Sequence, residues 1–149
     1  MYITVSNLYT RMSEQDVIRL SNDDYAATAI DTEVVNEIID TAEDMLNSFV
    51  RGRYIVPLTP VTKLIESMVL DLAVHGLYSR RTNIPIPEPV SDAYKNTIKL
   101  LGLIQERKMH IGVSEIQSGT SGAISGGVDI RMNKTPADRL FSKDNLGKY

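Results

Sequence analysis

Residues 31–50 read DTEVVNEIIDTAEDMLNSFV. Val34, Val35, Ile38, Ile39, Ala42, Met45, Leu46, Phe49 and Val50 recur at the i, i+3, i+4, i+7 spacing of an amphipathic helix. Asp31 stands just ahead of the first apolar residue, where a carboxylate can accept from the free amides of a helix's first turn. Glu33, Glu37, Asp40, Glu43 and Asp44 crowd the first half, and Arg51 and Arg53 follow, an order that suits the helix dipole. The pattern predicts a helix from Thr32 to about Tyr54, roughly 35 Å long at about 1.5 Å per residue. Pro57 and Pro60 stop it and open the next element.

Downstream, a second long helix is predicted from Val61 to Ser79. Val61, Leu64, Ile65, Met68, Val69, Leu72 and Ala73 form one stripe, and Leu70, Val74 and Leu77 widen it nearly all round. Between Met68 and Tyr78 only Asp71 and His75 are strongly polar. A helix that is apolar all round must be buried on most sides. In so small a chain, part of that burial is assigned to a neighbouring subunit. Leu70, Asp71, Val74, His75 and Leu77 are therefore candidate partner-interface residues. Ile84-Pro85-Ile86-Pro87-Glu88-Pro89 is expected to be extended, because alternating prolines oppose helix. Ser91 or Asp92 then caps a third helix to about Arg107, with Tyr94, Ile98, Leu101 and Ile104 inward. Upstream, Tyr2-Ile3 read as an extended lead-in. Thr4 caps a short helix carrying Val5, Leu8 and Tyr9. Ser13 heads another with Val17, Ile18 and Leu20, which Ser21-Asn22-Asp23-Asp24 ends.

From Lys108 the character of the chain changes. Gly119, Gly122, Gly126 and Gly127 alternate with Ser118, Thr120, Ser121 and Ser125. Such a stretch has too few large apolar side chains to offset its own ordering entropy. It nevertheless ends on apolar residues, Leu140, Phe141, Leu146 and Tyr149, which are candidates for gripping a partner. Met109–Val113 and Val128–Met132 read as short strands, free to pair as a hairpin or to stay extended. The expected fold is mainly α: a small antiparallel helical bundle over 1–107 and an extended C-terminal arm over 108–149, with or without that hairpin.

Composition narrows the function classes. The 149 residues include no Cys, so there is neither a disulfide framework nor a thiolate metal site. Net charge is −3, divided as −5 over residues 1–107 (10 Lys/Arg against 15 Asp/Glu) and +2 over 108–149 (6 against 4). An acidic body is a poor sequence-independent nucleic-acid binder, since that affinity comes from cations on phosphate. Met1 to Leu20 carries charges throughout and no signal-peptide core. No run approaches the ~20 apolar residues of a membrane span. A soluble chain made in the cytoplasm is expected.

The motifs that could carry chemistry are weak. Gly119–Gly127 reads GTSGAISGG, but a phosphate loop needs a Lys and a hydroxyl after its last Gly, and here Val-Asp-Ile follows. Asp71 and His75 are one turn apart and could be a proton relay or two metal ligands. No third ligand or nucleophile accompanies them, and a buried Asp–His hydrogen bond or an Asp reaching an Arg across an interface is the plainer reading. The five acids of residues 33–44 lack the loop of a calcium site and read as a solvated helix face. Arg80-Arg81 suit a helix C-terminus without any phosphate. His110 supports nothing by itself. No catalytic, cofactor-binding or metal residue is assigned, and no enzymatic activity is expected.

Taken in order, several segments resemble the Mu-like phage neck protein family. They are Met1-Tyr2-Ile3-Thr4-Val5, then Ser13-Glu14-Gln15-Asp16-Val17-Ile18-Arg19-Leu20, then the Asp31-headed helix ending Arg53-Tyr54 before Pro57-Leu58. Asp71-Leu72-Ala73 with Leu77-Tyr78 follow, and the chain closes Arg139-Leu140-Phe141-Ser142-Lys143-Asp144-Asn145-Leu146-Gly147-Lys148-Tyr149. The resemblance spans nearly the whole chain. It departs at His75, where an aromatic residue or Arg is expected, and in the proline run before the third helix. Proteins of this kind are head-completion or head–tail connector proteins of tailed phages and prophages. The resemblance implies a helical adaptor bound beneath the portal protein as a homo-oligomeric ring of twelve copies. It implies DNA passing through the lumen without sequence-specific binding, docking to the next neck or tail protein, and no membrane. The place implied is the virion neck, after assembly in the bacterial host cytoplasm. The alternative is a small cytoplasmic helical regulator or assembly factor that grips a partner protein with its C-terminal tail.

Overall fold

A computed structural model describes residues 1–24 and 26–116. These form five helices: α1 (Val5–Leu8), α2 (Glu14–Ser21), α3 (Thr32–Val50), α4 (Lys63–Arg80) and α5 (Glu88–Gln105). No strand occurs among the described residues; the sole β-type pairing there is an isolated antiparallel bridge between Tyr54 and Glu115. The Gly/Ser stretch, Val128–Met132 and the apolar tips Leu140, Phe141, Leu146 and Tyr149 lie outside the described residues.

α4 occupies the centre. The other four helices all pack against it, α3 and α5 most extensively. Ile65, Val69, Ala73 and Leu77 are fully buried, and Leu70 and Val74, which carry the stripe round the helix, are only 7% and 6% exposed. Much of the apolar surround of α4 is met inside one chain, because α1 and α2 also pack against it beside α3 and α5. Leu70, Val74 and Leu77 are core residues.

α3 begins as its sequence predicts, with the Asp31 carboxylate accepting from the Val34 amide at 3.2 Å. It ends earlier, at Val50. The amides of Arg53 and Tyr54 both turn back to the Val50 carbonyl at 2.9 Å, which closes the last turn and leads the chain away. Its 19 residues span about 28 Å. Arg53 therefore does not sit at the helix end to meet the dipole. Glu43 also departs from expectation: it is buried, not part of a solvated acidic face. Its Oε1 accepts from the Tyr2 amide, and from the Ile3 amide at 3.3 Å. The Tyr2 hydroxyl donates to Asn47 at 2.6 Å and accepts from the Leu58 amide at 2.9 Å. The lead-in is thus a buried strap across α3.

α4 starts at a Thr62 cap, two residues beyond Pro60. α5 starts earlier than predicted. Pro87 is its cap, and Pro89 lies in its first turn, where the missing N–H has no intrahelical partner to lose. Ser91 and Asp92 are inside the helix and do not cap it. Residues 109–113 are not a strand. Gly112 has φ +77, which turns the chain so that Ile111 and Val113 both bury against the helical body.

Two glycines separate close approach from helix propensity. A Cβ at Gly76 would stand 2.9 Å from Cγ2 of Ile38, a β-branched side chain on α3 with little freedom to yield. A Cβ at Gly102, within α5, would meet nothing within 4 Å. Gly102→Ala should stabilise by up to ~1 kcal/mol. Gly76→Ala should destabilise, because overpacking of about 1–3 kcal/mol outweighs the same propensity gain. Urea titration of both variants reads the two signs. Glu43→Ala leaves two buried amides without their acceptor and should lower stability by about 2 kcal/mol or more in the same titration.

Candidate functional site

The polar residues of α4 are held by groups of the same chain. Asp71 Oδ1 lies 3.3 Å from Arg11 Nη2, and its Oδ2 accepts from the Thr97 hydroxyl at 3.2 Å. Arg11 also donates to Ser67 at 2.8 Å. Asp71 thereby ties the turn between α1 and α2 to α4 and α5. An arginine partner for Asp71 is what its sequence setting suggested, but that arginine is intramolecular. His75 stacks on Tyr94, with ring centroids 3.9 Å apart and planes at 15°. Its Nδ1 lies 3.3 Å from the Ser79 hydroxyl. Burial lowers its pKa, so the ring is neutral at neutral pH. Asp71 and His75 thus have separate partners rather than acting as a dyad.

A shallow cleft of about 180 Å³ opens beside them, lined by Arg11, Asp71, Val74, Pro89, Val90 and Ala93. Sites that enclose a small molecule run to roughly 300–1,000 Å³, so this one suits a single side chain. Leu70 lines a separate, more open depression with Thr10, Lys63 and Ser67, and Leu77 lines neither. A wider depression of about 540 Å³ between α2 and the following loop is lined by Gln15, Ile18, Arg19, Asp24, Ala27 and Thr28. The outer side of α3 presents Glu33, Glu37, Asp40 and Asp44, all exposed. Arg80 and Arg81 serve the end of α2, donating to the carbonyls of Leu20 at 3.3 Å and Arg19 at 3.2 Å. Arg80 also pairs with Asp23 at 2.8 Å. They complete the C-terminus of α2, not only that of their own helix.

One cluster was not legible in the sequence. The Arg53 guanidinium is nearly buried and reaches across to the segment that follows α5. Its Nη1 donates to the carbonyls of Ile104 at 3.0 Å and Met109 at 2.5 Å. Its Nη2 meets Glu115 Oε1 at 2.7 Å. The Arg53 carbonyl accepts from the Ile116 amide at 2.9 Å. Beneath it, Tyr54 is fully buried with its ring 5.2 Å from the Arg53 Cζ and edge-on to His110. His110 Nδ1 accepts from the Gly112 amide at 2.8 Å, so in the neutral ring Nε2 carries the proton, toward Glu115 at 3.4 Å. The hydrogen bond from Arg53 holds the Glu115 carboxyl below the usual carboxylate range. The available signal was slight: Glu115 is the one acid between Lys108 and Gly127, and Arg53 stands where a helix-dipole cation was expected.

Compared with known families, residues 2–128 match the family model described as Bacteriophage Mu, Gp36. Among curated proteins, no match is found.

The His75–Tyr94 stack carries a pH dependence. The folded-state pKa of His75 lies below its ordinary value of 6.5, so the unfolded chain takes up the proton first as pH falls. The stack's contribution is complete above that value and is lost on acidification. Stability should fall from about pH 7 to pH 5, and His75→Gln should flatten the fall. Thermal melts across that range, native chain against variant, measure the difference.

Proposed function

This chain belongs to the bacteriophage Mu Gp36 family, and from that premise we propose that it is a structural head–tail connector of a tailed phage. It acts by assembly and carries out no catalysis. In this reading the helical body takes its place in a ring of twelve copies beneath the portal protein. DNA passes through the lumen, and the next neck or tail protein docks below. Its location is the virion neck, reached by assembly in the bacterial host cytoplasm.

The observation that carries the reading is the contrast between body and tail. The body closes its own core, so no helix face is left needing a partner merely to be stable. The C-terminal sequence ends on Leu140, Phe141, Leu146 and Tyr149 with basic residues between them. Burying such residues in a partner yields binding energy that the segment cannot recover alone. The body's acidic surface fits the same role, since it offers DNA little cationic grip and lets the polymer move. No helix of the described residues is long and apolar enough to cross a membrane.

Quantifying this chain against the portal protein in purified particles by mass spectrometry tests the proposal. A ratio near one to one is expected. Absence from particles would overturn it in favour of a cytoplasmic regulator or assembly factor. Deleting residues 133–149 should leave the melting of the body unchanged and abolish incorporation into particles. Phe141→Ala or Leu146→Ala should weaken docking, by about 2 kcal/mol or roughly 30-fold if each is a buried anchor. Normal incorporation of the truncated chain would remove the tail from the docking role.

A further inference from the structure

We infer that Arg53 and Glu115 form a latch that fastens residues 114–116 to the body and so sets the point at which the chain leaves it. The inference deepens the connector reading above, in which the arm does the docking.

The two halves of the pair are held very differently. The Arg53 side chain is 9% exposed, and two backbone carbonyls, those of Ile104 and Met109, fix it independently of Glu115. The Glu115 side chain is 35% exposed, and among the described residues its other partner is the half-exposed His110 at 3.4 Å. Loss of the pair therefore frees the acid's segment and leaves the arginine in place. Guanidinium geometry favours this division, because a planar fork can serve carbonyls on one side and a carboxylate on the other.

Among the described residues, those around Glu115 supply little else to hold it. Val113 is the last core residue of the described chain. Ser114 and Ile116 are exposed, and Ile116 keeps 42% of its surface in water. What fixes residues 114–116 is polar: the ion pair, the Ile116 amide on the Arg53 carbonyl, and His110 Nε2 on the same carboxylate. Arg107 adds positive charge facing Glu115, and Tyr54 lies under the guanidinium. With the latch closed, the chain leaves the body at Ile116, bonded to the same strand of backbone that carries the 70% exposed Ile55. With it open, the exit retreats to Val113, and the freed length is about 10 Å of chain without fixed direction. Fixing a docking segment at its root reduces the ordering it must undergo on binding.

Hydrogen exchange on the isolated full-length chain tests the latch without reference to any partner. In Glu115→Ala the Ile116 amide should exchange at least about tenfold faster, while amides inside α3 and α4 keep their protection and the melting temperature holds. Glu115→Gln retains a neutral acceptor and should fall between the two. Unchanged exchange at Ile116 in both variants would overturn the latch. So would loss of protection spreading into α4, since the pair would then be supporting the core instead of the exit. The truncation lacking residues 133–149 retains Arg53, Glu115 and Ile116 and should exchange there like the native chain. Failure of the docking reading in particles and failure of the latch are therefore read separately.

Discussion

Enclosing α4 governs the position of every other element in the body. A helix with Ile65, Val69, Ala73 and Leu77 on one side and Leu70 and Val74 continuing round it exposes apolar surface in every direction until covered. α3 and α5 supply two walls, and α2 with the short α1 supplies the remainder. Close approach to α3 is possible because Gly76 has no side chain where Ile38 crosses. Asp71 and His75 lie at the boundary of the enclosure, which brings Arg11 and Thr97 to the acid and Tyr94 to the ring, while Ser79 of α4 itself meets His75 Nδ1. The polar partners follow from the apolar constraint.

Most of the helical architecture was legible because it is written locally. Asp31 and Ser13 cap their helices through side-chain acceptors, Thr4 stands at the head of α1, and the stripes of α3 and α4 turn inward as spaced except at Val61, which lies ahead of α4 and is 38% exposed. The misreadings have identifiable causes. A helix that is apolar all round demands cover, and its own chain supplies much of it through α3, α5, α2 and α1. A short apolar run such as Met109–Val113 does not distinguish a strand from a turn that buries Ile111 and Val113 by bending at Gly112. Alternating prolines over residues 85–89 look like a uniform barrier to helix, although a proline in a helix's first turn loses no bond. Glu43 carried a usable signal that charge obscured: it lies four residues after Ile39 and three before Leu46, on the buried stripe itself.

The candidate site was legible only in part. The spacing of Asp71 left open a bond to His75 or an arginine across an interface, and the acid meets Arg11 of its own chain instead. Neither type nor spacing marked Arg53, whose partners lie 51 to 62 positions away in the chain. Long-range polar contacts of this sort depend on the finished fold, and one sequence holds no trace of them beyond an isolated acid. For a protein of the Mu Gp36 family, the consequence is a division of labour. Burial stabilises the body internally, and charge fastens residues 114–116 to it.

The strap at Tyr2 and the fork of Arg53 share a kinetic consequence. Tyr2 bonds to residues 41, 45 and 56 positions later, and Arg53 to a residue 62 positions later. Helices form from neighbours in microseconds, but contacts at such separations must wait for loop closure. On a ribosome, the body cannot complete itself until the segment through Glu115 has emerged. α4 would then spend much of synthesis as a helix with its apolar circumference only partly covered. That interval is when this chain is most exposed to aggregation or to capture by a chaperone.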